Sequence, residues 1–129
     1  MKYSFQVLVV DDERDFLEPL VVRLCRRGLQ AQGVTSGEAA LAHLAAQPVD
    51  VVVLDVKMPG MDGIQALREI KARYPDVEVV MLTGHASVEA GMEGLKLGAF
   101  DYLIKPVKID KLVEILEQAY ERRQVVQEG

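Results

Sequence analysis

The chain has 129 residues, half of them hydrophobic and 27% charged, which is the composition of one globular domain with no room for a second. A net charge of −5 argues against nucleic-acid binding through bulk charge. No apolar run approaches the roughly 20 residues needed to cross a bilayer, Met1 to Phe5 has no signal-peptide layout, and the single cysteine, Cys25, has no internal bridging partner. The expectation is a cytoplasmic domain over residues 1–129 that makes no membrane contact. Its core would run to about 122, with 123–129 a helix end or linker stub.

Short apolar runs alternate with longer amphipathic ones. Phe5 to Val10 predicts a first strand, and Val7-Leu8-Val9-Val10 is continuous enough for burial on both faces. Glu13 to Arg26 follows as a helix, with Phe16, Leu17, Leu20, Val21 and Leu24 at helical spacing and Gly28 as its end. Pro19 interrupts that pattern and should kink the helix or delay its start, and Cys25 reads as a buried filler. Leu29 to Val34, broken by Gln30, Gln32 and Gly33, suits an edge strand. Ser36 is a good N-cap for a helix from Gly37 to Gln47 with Ala40, Leu41, Leu44 and Ala45 inward. Val49 to Leu54 predicts a third strand, and Gly63 to Arg73 a helix with Ile64, Leu67 and Ile70 inward, stopped by Pro75. Val77 to Leu82 predicts a fourth strand, followed by a helix capped by Ser87 and ending at Leu97-Gly98. Tyr102 to Ile104 predicts the fifth strand. A last helix capped by Asp110 has Leu112, Val113, Leu116 and Tyr120 spaced for burial, leaving Ile115 and Ala119 for a partner face.

Strand–helix alternation with short loops predicts an α/β fold of the flavodoxin-like, doubly wound (βα)5 type. The expected sheet is five-stranded and parallel, of order 2-1-3-4-5, with helices on both faces. Ligands in such sheets bind at the carboxyl ends of the strands. There the chain places Asp11, Asp12 and Glu13, then Asp55 with Val56-Lys57-Met58-Pro59-Gly60, then Thr83-Gly84, then Lys105-Pro106. Singly these residues have plainer roles, as helix-capping acids, turn formers or solvated loop groups. Together, carboxylates so close repel unless a cation joins them, and Mg²⁺ suits few carboxylates with phosphate oxygens completing its shell. A hydroxyl and an ammonium beside it would cradle a phosphoryl group, and the central Asp55 is the natural nucleophile for an acyl phosphate.

In these residues the chain resembles the receiver domains of two-component response regulators, over essentially its whole length. The resemblance rests on Asp11-Asp12, on Asp55 within the run from Leu54 to Gly63, on Thr83 and on Lys105-Pro106. It implies that Asp55 accepts a phosphoryl group from a phosphohistidine on a sensor histidine kinase or phosphotransfer protein. It implies that Asp12 and Asp55 bind Mg²⁺ directly, Asp11 through water, and Lys57 through its backbone carbonyl. Lys105 would pair with phosphoryl oxygens, Thr83 would bond the phosphoryl group, and Tyr102 would turn inward with Thr83. Pro106 would follow a cis peptide bond. The stretches Leu82 to Glu89 and Leu97 to Tyr102 look most like receivers of enhancer-binding transcription activators.

The implied function is a regulatory switch that catalyses its own phosphorylation and dephosphorylation, not a turnover enzyme. Its changed surface around the fourth helix, fifth strand and fifth helix would act on an output or on a second copy of the chain. Nucleic acid would be reached only through an output domain. Lys57 and His85, each two residues beyond a site residue, are expected to tune hydrolysis. Gly91 and Gly94 in the fourth helix suggest either a marginal, mobile helix or close packing that only glycine allows. A haloacid-dehalogenase-type hydrolase would want a second aspartate where Lys57 stands, and a flavin carrier would be repelled by Asp11-Asp12-Glu13. A pseudo-receiver, binding partners without being phosphorylated, is the alternative that the sequence leaves open.

Overall fold

The computed structural model describes residues 5–84 and 88–128, with side chains to Val125. In chain order the elements are β1 (Gln6–Val10), α1 (Arg14–Arg26), β2 (Gln30–Val34), α2 (Gly37–Ala46), β3 (Val51–Asp55), α3 (Gly63–Arg73), β4 (Glu78–Thr83), α4 (Val88–Lys96), β5 (Asp101–Ile104) and α5 (Ile109–Glu128). The strands form one parallel sheet of order β2-β1-β3-β4-β5, as expected, with β2 at an edge.

The near-continuous valine runs follow from burial on both faces, because successive side chains in a strand point to opposite sides. Val7, Val9, Val51, Val53, Val80 and Leu82 pack with Leu17, Leu24, Leu112 and Leu116 of α1 and α5. Their neighbours Leu8, Val10, Val52, Leu54, Val79 and Met81 pack with Ala40, Leu44, Leu67 and Ile70 of α2 and α3. Full burial of each such valine or leucine contributes roughly 1.5–3 kcal/mol relative to exposure. That makes β1, β3 and β4 a rigid floor for the loops above them.

Ser36 caps α2 by accepting from the Ala39 N–H at 3.0 Å. Asp62 and Gln65 form a reciprocal capping box on α3, at 2.9 and 3.2 Å, in a stretch whose sequence suggests only a turn. Gly28 and Gly98, with φ of 91° and 107°, follow α1 and α4 in the left-handed region.

Several expectations need correction. Pro19 does not delay α1, which begins at Arg14 and carries the proline on its exposed side. Cys25 is exposed, its Sγ 3.5 Å from the Ala31 carbonyl. Ala45 is also exposed, so α2 is anchored by Ala40 and Leu44. Asp110 lies inside the first turn of α5, which starts at Ile109, so it acts as a first-turn acid and not as the cap. Ile115 and Ala119, expected on a partner face, are 5% and 0% exposed and belong to the core. The buried stripe of α5 is wide because the helix lies in contact with both α1 and the sheet. The cap expected at Ser87 lies outside the described residues.

Candidate phosphoryl site

The carboxyl ends of the strands bring the expected acids together. Asp11 follows β1 and is 1% exposed, Asp55 ends β3 at 6%, and Asp12 is half-buried between them and solvent. Each can offer one carboxylate oxygen to a common point, and these three oxygens lie within 4.8 Å of one another. That spacing and all-oxygen chemistry fit a small hard divalent cation.

Without a cation the cluster is electrostatically uncomfortable. Burial, then repulsion from Asp11 and Asp12, pushes the Asp55 carboxyl up to about 6. The Lys105 charge and a hydrogen bond from the Lys57 backbone only partly offset this. Lys105 donates to Asp11 Oδ2 at 2.9 Å and stands 3.6 Å from Asp55 Oδ1. Burial alone would lower its pKa, but the Asp11 hydrogen bond and the charges of Asp55 and Asp11 outweigh that and raise it. The Phe16 ring, 4.3 Å away, lies against the ammonium and helps hold it over the acids.

Thr83 ends β4 beside this cluster. Its neighbour Leu82 is the register partner of Asp55. The Thr83 side chain is fully buried and its Oγ1 has no hydrogen-bond partner among the described residues. Such an orphan hydroxyl costs about 1–3 kcal/mol, so it points to a ligand or a second conformation that satisfies it. The backbone N–H of Lys105 donates to the Thr83 carbonyl at 2.6 Å, tying the ends of β4 and β5 together. The Lys105–Pro106 peptide is cis, as the resemblance implies.

Of the remaining expected residues, Lys57 is exposed and reaches the site through its backbone, and His85 lies outside the described residues. Tyr102 is half-buried in β5, its ring against the backbone of α4. A Cβ on Gly91 would come within 2.8 Å of that ring, and one on Gly94 within 3.1 Å of Met81. Close packing therefore explains both glycines.

Sequence reasoning missed the role of Gly63. Its N–H donates to the Val56 carbonyl at 2.8 Å, closing the loop after Asp55. A Cβ there would stand 2.2 Å from the Asp55 carbonyl oxygen, so only glycine lets α3 begin directly beneath the site. The Asp62-Gly63 pair gives a turn signal in sequence, but nothing local shows that the turn folds back onto residue 55. A groove of about 610 Å³ opens between this loop and α4, lined by Val56, Lys57, Met58, Ile64, Ala90 and Glu93 among others.

Residues 7–117 match the profile of the family described as "Response regulator receiver domain". The chain belongs to the response regulator receiver family. It is 34% identical over its full length to the C4-dicarboxylate transport transcriptional regulatory protein DctD of Rhizobium meliloti, covering 28% of that protein. It is 43% identical over 90% of its length to the transcriptional regulatory protein ZraR of Salmonella typhimurium, covering 26% of it. The chain thus spans about a quarter of the length of these curated relatives, and they fit the likeness to receivers of enhancer-binding activators. A receiver domain structure from Clostridium thermocellum superimposes with a TM-score of 0.90 at 33% identity, covering 95% of this chain and 99% of that one. NtrX from Brucella abortus in complex with ADP gives a TM-score of 0.92 at 32% identity, covering 98% of this receiver and 29% of that chain.

Proposed function

We propose that this receiver takes a phosphoryl group onto Asp55 from the phosphohistidine of a sensor histidine kinase or phosphotransfer protein, with Mg²⁺ held by Asp11, Asp12, Asp55 and the Lys57 carbonyl. An Asp55 carboxylate oxygen attacks phosphorus as the P–N bond breaks, an acyl phosphate forms, and the imidazole leaves with a proton. Bound Mg²⁺ supplies charge neutralisation for the acids and for the phosphoryl oxygens. Lys105 moves from bridging Asp11 and Asp55 to pairing with the phosphoryl group. Thr83 Oγ1 gains the partner it lacks, and Tyr102 follows it inward. That movement changes the α4/β5/α5 surface, which then acts on an output or on a second copy of the chain.

The observation that carries this reading is the convergence of three carboxylates, a lysine bonded into them and an orphaned threonine hydroxyl on one sheet edge. The test is intact mass after incubation with acetyl phosphate and Mg²⁺. One phosphoryl group should be gained, and the gain should vanish in Asp55→Asn or with chelator. No gain by folded, Mg²⁺-binding protein, from acetyl phosphate or from a phosphohistidine donor, would leave the pseudo-receiver reading. Decay of the phosphorylated mass after donor removal tests the tuning residues, whose role fails if Lys57→Asn and His85→Glu decay at the wild-type rate.

A further inference from the structure

At the other edge of the sheet, α5 continues past the point where its apolar face ends. Ile115, Leu116 and Ala119 are buried, and Tyr120 stacks on Phe5 with ring centroids 4.4 Å apart. Beyond that stack Val125 is 68% exposed, so burial no longer holds the helix down. Two consecutive arginines reach back instead. Arg122 donates from Nε to Glu78 Oε2 at 2.6 Å and from Nη2 to Oε1 at 2.5 Å, a two-pronged pair, with its guanidinium 4.7 Å from the Phe100 ring centre. Arg123 Nε donates to Asp50 Oδ1 at 2.9 Å, and Asp50 Oδ2 accepts from the Gln6 N–H at 2.8 Å.

Glu78 opens β4 and is only 3% exposed, so loss of its partner would leave a buried charge uncompensated. The nearby cation Lys71 is already committed, donating to the Pro75 and Val77 carbonyls at 2.8 and 3.0 Å. Asp50 immediately precedes β3. The two strands held here are the ones that end in Asp55 and Thr83. Both arginines sit on one turn of α5, so a single short stretch of helix is fixed to the starts of β1, β3 and β4.

We propose that Arg122, Arg123, Glu78 and Asp50 form a clamp that orders the last two turns of α5 and fixes the direction in which the helix leaves the sheet. A segment joined to α5 would then take its orientation from the strands that carry the phosphoryl site, not from a flexible hinge. The proposal stands independently of the phosphotransfer reading, because its test needs no phosphorylation.

The test compares amide hydrogen exchange in the full chain with Arg122→Gln, Arg123→Gln and the doubly substituted protein. Amides of residues 121–128 should exchange about tenfold faster in each single variant and faster still in the double, while β1, β3 and β4 amides, which open only with the whole domain, should change no more than the fall in global stability measured by urea unfolding. Wild-type protection at 121–128 in the double variant would overturn the clamp. So would a loss confined to β1, β3 and β4 with residues 121–128 unaffected, which would make the pairs stabilisers of the sheet and not of the helix end. Should Arg122→Gln fold poorly, Arg122→Lys keeps the charge and loses the two-pronged geometry, and it should show an intermediate exchange rate at residues 121–128.

Discussion

At the scale of single residues, the site stores repulsion in the absence of a cation. An ordinary carboxylate titrates near 4 in an unfolded chain, whereas Asp55 in the folded chain does so at about 6. The folded state therefore holds its proton more tightly, and stability falls as pH rises from about 4 through 6. Above that window Asp55 is ionised in both states and the penalty is complete, on the order of 3 kcal/mol. Asparagine has nothing to titrate. In metal-free buffer Asp55→Asn should be more stable than wild type above pH 6, with the advantage fading below about pH 4. Urea unfolding across pH checks this, and a difference that is absent, reversed or independent of pH would refute it. The orphaned Thr83 hydroxyl belongs to the same picture, a polar group left without a partner at the one edge where a ligand is expected.

At the scale of elements, α4 shows where sequence reasoning divides. An alanine in place of an exposed helical glycine normally stabilises by about 1 kcal/mol. At Gly91 the added Cβ would meet Tyr102 Cδ2 at 2.8 Å and Cγ at 3.0 Å. Overpacking of that kind typically costs 1–3 kcal/mol, so Gly91→Ala should be net destabilising by about 1 kcal/mol. In a Tyr102→Ala background the obstruction is gone and the same substitution should become stabilising. A double-mutant cycle measured by thermal or urea unfolding decides it, and equal effects in both backgrounds would mean that the ring does not set the helix position. The two glycines are visible in sequence, but their reasons are contacts of α4 with Tyr102 on β5 and Met81 on β4 that no local pattern encodes. The strands were legible for the opposite cause: Val51 to Leu54 is apolar throughout because both its faces are covered. The α5 face was misjudged at Ile115 and Ala119, since a helical period locates a stripe but not how many neighbours widen it. The acids and Lys105 were legible from strand ends alone. Gly63, the Phe16 contact and the Glu78–Arg122 pair were not, because each joins residues whose proximity exists only after folding.

At the scale of the whole molecule, the two ends of the sheet solve one electrostatic problem in opposite ways. At the amino ends, Glu78 and Asp50 are neutralised by arginines of the same chain. At the carboxyl ends, Asp11, Asp12 and Asp55 share, among the described residues, only Lys105, which is bonded to Asp11 and more distant from Asp55. A chain of net charge −5 that pairs its acids at one end and leaves them short of cations at the other has a deficit that a divalent ion can fill. Binding to the folded state alone stabilises by mass action, about 1.4 kcal/mol at tenfold over Kd, or a rise of roughly 3–6 °C in Tm for a domain of this size. Mg²⁺ should produce that rise at constant ionic strength, whereas Na⁺ at matched ionic strength should produce little of it. Asp12→Asn, which removes a ligand that is not needed for the core, should shift the midpoint of the Mg²⁺ response to higher concentration while leaving the metal-free Tm equal or higher. Arg122→Gln, at the far end, should lower the metal-free Tm and leave the Mg²⁺ increment unchanged. A Mg²⁺ response that survives Asp12→Asn unaltered, or that disappears with Arg122→Gln, would place the cation somewhere other than the carboxylate cluster.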